Sequence, residues 1–259
     1  MNASARAWLL RDGAWRAGEG LPLTDRAARY GMAVFATIGV REGRLLFADE
    51  HRRLLGEAAA SLLGTNPDIP PAPLDADARG VLRVYVTAGD GAPTAPVTRP
   101  RVFAMFEACG GDALPQSQTA RLHAEPAAPF GGGAKTANYW MNCAAQAAAQ
   151  ADGFDHALLH DHSGRLLSGA MGNVFLVLDG QLCTPATTLG VRPGVIRGWV
   201  MGCADVREVD LASDVLHRAE EVFLTNSRLG VMPLRIGDVA PGSIGCNLRD
   251  ACRTERLIP

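Results

Sequence analysis

The stretch Phe130-Gly-Gly-Gly-Ala-Lys135-Thr-Ala-Asn-Tyr139 runs from a triple glycine, through a lysine, into an alanine-rich segment ending near Ala151. Alanine has the highest helix propensity, so a helix is predicted over about Asn138 to Ala151. The glycines give a flexible approach that admits a flat ligand, and the helix start can hold the Lys135 amine in a cleft. Lys135 is also the only lysine: of 25 basic residues, 24 are arginine. Arginine can replace lysine wherever charge alone is wanted. It cannot do so where a neutral amine must attack a carbonyl, because its guanidinium stays protonated. The other reading is a surface lysine that survived by chance, and composition leaves both open.

Working outward, Ala7–Arg11 and Ala14–Arg16 are predicted to form a hairpin around Asp12-Gly13, and Val34–Val40 and Arg44–Phe47 a second around Arg41-Glu42-Gly43. A helix over Asp49 to Leu63 places Leu54, Leu55, Ala58, Ala59, Leu62 and Leu63 on one face. Strands follow at Val81–Thr87 and Arg101–Glu107, and Cys109-Gly110-Gly111-Asp112 reads as a domain boundary. Beyond it, strands are expected at Thr119–Ala124, Ala157–Leu159, Asn173–Leu178, Gln181–Thr184, Glu221–Thr225 and Val231–Arg235, with helices from Gly194 to Cys203 and Ile244 to Thr254. The class is mixed α/β (α+β) in two domains, 1–112 and 113–259, with Lys135 in the second, larger one.

With 47% hydrophobic and 20% charged residues and a net charge of -2, the chain reads as folded, with no electrostatic case for nucleic acid. It lacks a signal-peptide core or an apolar run of membrane-spanning length, which points to a cytoplasmic protein. The six cysteines are widely spaced without a CxxC pair, as expected of free thiols. His156, His160 and His162 surround a turn at Asp161–Gly164 with no cysteine or glutamate cluster beside them, so no metal site is expected.

Two further segments carry phosphate-type donors. Gly194-Val195-Ile196-Arg197 opens a helix whose first N–H groups are free, and Thr225-Asn226-Ser227 ends a strand in hydroxyl and amide groups. In order and spacing, these segments, with Asp25-Arg-Ala-Ala-Arg-Tyr-Gly31, Val34-Phe-Ala-Thr37, Lys135-Thr-Ala-Asn-Tyr139, Gly169-Ala-Met-Gly-Asn-Val-Phe175, Thr184-Pro185 and Ala219–Ser227, resemble the class IV aminotransferases. These are the fold-type IV pyridoxal-phosphate enzymes, which include branched-chain and D-amino-acid aminotransferases and 4-amino-4-deoxychorismate lyase.

The resemblance implies a homodimer with the active site between the two domains. It implies Lys135 as Schiff-base lysine and proton shuttle, Val195 and Ile196 amides and the Ser227 hydroxyl on the phosphate, and Tyr30, Thr37 and Tyr139 on the substrate side. The chain departs from the family pattern in three respects. Ser168 stands where a glutamate pairs with the pyridine nitrogen. Leu54 stands where an arginine binds phosphate, a role that passes to Arg53 if the helix slips by one residue. Ala36 and Gly39 replace a glutamate and a common arginine. A serine leaves the ring a weaker electron sink than a carboxylate does, which suits elimination better than transamination. With Thr-Asn-Ser-Arg-Leu-Gly-Val-Met-Pro at 225–233, this points to the lyase branch. The alternatives are an aminotransferase acting on D- or branched-chain amino acids and a diverged, non-catalytic homologue.

Overall fold

The computed structural model describes residues 6–18, 20–109, 115–129 and 131–259. The chain forms two compact units. One comprises Met1–Asp112, Ala134–Asn138 and Ile258–Pro259, the other Ala113–Gly133 and Tyr139–Leu257. The boundary expected at Cys109–Asp112 falls mostly on residues 110–114, outside those described.

In the first unit, β1 (Arg6–Arg11) and β2 (Ala14–Ala17) turn at Asp12 and Gly13, with φ of 51° and 72°. Only such left-handed pairs match the twist of a two-residue hairpin. The next elements are α1 (Arg26–Tyr30), β3 (Ala33–Arg41), β4 (Arg44–Leu45), α2 (Ala48–Leu63), β5 (Gly80–Thr87) and β6 (Arg101–Ala108). The strands form an antiparallel sheet in the order β2-β1-β6-β5-β3-β4. One face packs Val34, Ala36, Ile38, Val84 and Ala104 against Leu55, Ala58, Ala59 and Leu63 of α2. Strand alternation sends Phe35, Thr37, Tyr85 and Phe103 to the other face.

A polar network locks the entry to β3. Asp25 is fully buried and accepts from Ala27 N, Thr87 Oγ1 and Arg101 Nη1 at 2.8, 2.8 and 2.9 Å. Arg26, also fully buried, donates to the carbonyls of Ala88, Gly89 and Ala95, tying down the Gly/Pro-rich loop after β5. Arg101 and Thr24 hold the exposed Asp90 carboxyl down to about 2.

The second unit contains β7 (Gln118–Leu122), α3 (Trp140–Ala151), β8 (His156–His160), β9 (Leu166–Gly169), β10 (Asn173–Leu178), β11 (Gln181–Pro185), α4 (Val195–Cys203), β12 (Val206–Val209), β13 (Glu221–Asn226), β14 (Gly230–Arg235) and α5 (Ser243–Thr254). Its strands run in the order β12-β11-β10-β13-β14-β7-β8-β9, and a bridge between Gly169 and Gly172 curls β9 back towards β10. Pro233 is tolerated in β14 because β7 pairs only with Leu234 and Arg235, so the missing N–H costs no ladder bond there. The buried carboxylate of Glu221 caps α5 through Ile244 N and Gly245 N at 3.0 and 3.1 Å. Alanines 145 and 149 let α3 lie close on Ala157 and Leu159.

The segment carrying Lys135 belongs to the first unit, which corrects its expected place in the C-terminal domain. It runs extended beside β3, with Phe35 N donating to Lys135 O and Ala137 N to Ala33 O, both at 2.8 Å. Two backbone bonds to β3 outweigh its proximity in sequence to α3.

Candidate active site

The Lys135 Nζ lies 4.3 Å from the centre of the Phe35 ring. Phe35 begins a stack with Tyr85 and Phe103, at centroid separations of 5.0 and 4.3 Å. Burial raises the Tyr85 phenol pKa. Thr37 shares this face two residues along β3, paired with Arg83, whose guanidinium meets Glu107 at 2.7 Å. The amine thus sits over an aromatic floor, backed by a rigid sheet. Tyr30 ends α1, partly exposed, with the Arg29 guanidinium 4.8 Å from its ring centre. The next residue, Gly31, is in the left-handed region, and a Cβ there would strike the Asn138 side chain. A glycine is required at that contact.

In the second unit, α4 starts at Gly194, which offers no side-chain cap, so the first-turn N–H groups of Val195 and Ile196 lack a protein acceptor of that kind. Asn173 builds this turn. Its Nδ2 donates to Arg192 O at 2.8 Å, and its Oδ1 lies where any Cβ on Gly194 would be. Thr225 pairs directly with Asn173 across β10 and β13, on the same face. Its Oγ1 is buried without a partner. Uncapped amides above an orphaned hydroxyl fit the oxygens of a phosphate ester. Ser227 lies in the turn just past β13. Asn142 and Asn226 donate to the carbonyls of Ala170 and Met171 at 2.8 and 3.1 Å, fixing the loop after β9. Tyr139 is half-buried, desolvation raises its pKa, and its hydroxyl is 3.5 Å from Ala170 O. Ser168 is a half-buried β9 residue opposite Leu159.

Arg53 lies on the exposed side of α2. The buried face of α2 is His51, Leu55, Ala58, Ala59 and Leu63, and Arg53 points away from it, pairing with Glu57 at 2.8 Å in the exposed i,i+4 geometry. No one-residue slip exists. Such surface pairs contribute little, so Arg53→Ala is expected to change stability by less than about 0.5 kcal/mol and leave cofactor affinity unchanged. Urea unfolding and a pyridoxal-phosphate titration check both. A tenfold weaker affinity would return Arg53 to the site.

Among the described residues, no group of three or more His, Cys, Asp or Glu could hold a metal ion, and no helix is long and apolar enough to cross a membrane. His156 instead meets Gln118, and His160 the carbonyls of Asp161 and His123. Asn142 and Asn173 escaped the sequence reading as site builders, whereas Thr225 and Asn226 belong to the segment read there as carrying phosphate-type donors. A polar residue opening the apolar strand Asn-Val-Phe-Leu-Val-Leu was the available signal for Asn173.

A single amine on an extended segment, with a separate phosphate-type helix N-terminus, defines the class of pyridoxal-phosphate enzymes that attach their cofactor through lysine. The profile of the amino-transferase class IV family matches residues 33–236, and the chain belongs to that family, whose cofactor is pyridoxal phosphate. It is similar to the branched-chain-amino-acid aminotransferase of Escherichia coli, 31% identical over 106 residues, covering 39% of this chain but only 34% of that enzyme. A putative branched-chain-amino-acid aminotransferase of Methanocaldococcus jannaschii is 26% identical over 231 residues, covering 81% of this chain and 80% of that one. The crystal structure of 4-amino-4-deoxychorismate lyase from Pseudomonas aeruginosa superposes with a TM-score of 0.78 at 26% identity, over 96% of this chain and 98% of that one.

Proposed function

We propose that the protein is a lyase that converts 4-amino-4-deoxychorismate to 4-aminobenzoate and pyruvate. The carrying observation is Ser168 at the position of the family's glutamate, a half-buried hydroxyl whose side chain has no hydrogen-bond partner among the described residues. Similarity to the Pseudomonas lyase across nearly the whole chain supports the same reading.

In this reading Lys135 holds pyridoxal phosphate covalently, Val195 and Ile196 amides and the Ser227 hydroxyl bind its phosphate, and Ser168 faces the pyridine nitrogen. Thr37, Tyr30 and Tyr139 line the substrate side. When bound, the cofactor supplies an electron sink for the carbon bearing the substrate amine. The Lys135 amine would remove the ring proton from that carbon. The electron pair re-forms the aromatic ring as the enolpyruvyl C–O bond breaks, and the leaving enolpyruvate takes up a proton to become pyruvate. Ser168 shares only a neutral hydrogen bond with the ring nitrogen. Such a bond would suit an elimination, whose electrons depart with the leaving group. The reading includes a cytoplasmic homodimer, as the family resemblance implies.

A second reading, amino transfer to branched-chain keto acids, is favoured by the names of the curated relatives. The two separate in one assay. Wild type is expected to release pyruvate from aminodeoxychorismate much faster than it moves amino groups from alanine or glutamate to keto acids. Ser168→Glu is expected to protonate the ring and raise half-transamination with D- or L-alanine relative to elimination. Equal rates of the two reactions in wild type would put the aminotransferase ahead.

A further inference from the structure

Two tight turns of the second unit meet at one side chain. The first joins β13 to β14 through Ser227, Arg228 and Leu229, with Asn226 paired to Gly230 across its base. Gly230 has a φ of 68°, the left-handed conformation that closes a three-residue hairpin loop. The second turns at Ala170 and Met171 between β9 and β10, with Gly169 bridged to Gly172. It lies against the end of β13: a Cβ on Gly172 would fall 2.5 Å from Thr225 O, and one on Gly169 2.7 Å from the Leu224 side chain.

Asn226, half-buried at the end of β13, serves both turns. Its Oδ1 accepts from Arg228 N at 3.0 Å and from Leu229 N at 2.8 Å, which closes the loop around Ser227. Its Nδ2 donates to Met171 O at 3.1 Å. The neighbouring carbonyl, Ala170 O, accepts from Asn142 Nδ2 at 2.8 Å, so two side-chain amides hold consecutive carbonyls of one turn. The residue type follows from this double task. An aspartate at 226 would accept from both loop amides, yet as a carboxylate it could not donate to Met171 O. Asparagine offers an acceptor and a donor on the same short stem. The two turns also carry the two hydroxyls of the proposed site: Ser227 directly follows Asn226, and Ser168 directly precedes Gly169.

We propose that Asn226 is a positioning residue for both ends of the cofactor. Through Oδ1 it presents the Ser227 hydroxyl to the phosphate, and through Nδ2, together with Asn142, it holds the turn that follows Ser168. The proposal rests on the reading of Ser227 and Ser168 given above. It adds that the two contacts are coupled, because one side chain orders both turns.

The test compares pyridoxal phosphate with pyridoxal in equilibrium dialysis against full-length, cofactor-stripped protein. Hydrogen exchange at the Gly172 amide, which donates to Gly169 O within the second turn, is the other readout. Ser227→Ala should weaken pyridoxal phosphate about 3–10-fold and leave pyridoxal unchanged. Asn226→Ala should weaken pyridoxal phosphate at least as much. Adding Ser227→Ala to it should cost less than about twofold more, because the hydroxyl is already out of place. Asn226→Ser, whose hydroxyl still accepts within the loop, should recover most of the preference for pyridoxal phosphate but not the Met171 contact. Gly172 exchange should therefore quicken in Asn226→Ser and in Asn142→Ala, and keep the wild-type rate in Ser227→Ala. Full, independent losses in the double variant overturn the proposal. So does equal weakening of both ligands in Asn226→Ala, the mark of a merely structural asparagine. If Asn226→Ala does not fold, unchanged Gly172 exchange in Asn226→Ser overturns it instead. An unchanged preference in Ser227→Ala alone shows that Ser227 is not a phosphate ligand, and the underlying reading falls.

Discussion

Lys135→Arg abolishes both elimination and amino transfer in cofactor-saturated protein while leaving the fold intact. The chemical loss follows from protonation: a guanidinium cannot attach a carbonyl cofactor or accept a proton at neutral pH. Loss of general-base catalysis alone is worth roughly 10²–10⁴ in rate, and loss of the covalent attachment comes on top of it. The fold persists because the structural work of this residue is done by its backbone, whose carbonyl accepts from Phe35 N. Its side chain lies over the Phe35 ring, where arginine serves equally well as the cation. Stability should therefore change by less than about 1 kcal/mol. Borohydride reduction with pyridoxal phosphate, followed by peptide mapping, should mark Lys135 in wild type and nothing at position 135 in the variant. Labelling confined to the N-terminal amine, or an active variant, would sink the assignment of Lys135.

That lysine was legible because chemistry singled it out from 24 arginines, but its structural place was not. The bonds that seat it on β3 join residues about a hundred positions apart, and no local pattern encodes them. Hairpins at Asp12-Gly13, Glu42-Gly43 and Asp179-Gly180 could be read because each needs two left-handed residues, a demand visible in the sequence itself. Helix α2 showed its apolar period. By contrast α1 spans five residues, too few for a period, and exists because Asp25 and Arg26 reach across to Thr87, Arg101 and the carbonyls after β5. The Val-Arg-Glu-Val of β12 carries no strand signal and is ordered by parallel pairing with β11 at the sheet edge. On α2, the arginine expected to slip into the site follows the helix register instead, and its neighbours show why: Leu55, Ala58 and Ala59 already fill the buried face.

The second large effect is expected at Asp25. Asp25→Ala removes a fully buried carboxylate that caps α1 and accepts from Thr87 Oγ1 and Arg101 Nη1. Lost capping costs about 1 kcal/mol, and breaking a buried ion pair costs about 3–5 kcal/mol when the partner is stranded. Arg101 is partly exposed and keeps Asp90, so the second term is reduced and a total near 3 kcal/mol is expected. Asp25→Asn keeps one oxygen, enough to accept from Ala27 N, and loses the second acceptor shared by Thr87 and Arg101, so it should cost less than Ala, about 1–2 kcal/mol. The damage should extend to the amine. Asp25 anchors α1, which leads directly into β3, and β3 holds the Lys135 segment through Phe35 N and Ala137 N. Hydrogen exchange is the appropriate measurement, because a chain of two units need not unfold in one step. In Asp25→Ala, exchange should accelerate in the 88–96 loop, at residues 26–31 and at the Phe35 and Ala137 amides, while β10 and β13 stay protected. An Asp25→Asn variant as stable as wild type would show that the charge is idle. Unchanged exchange at Phe35 and Ala137 would show that the network stops short of the lysine.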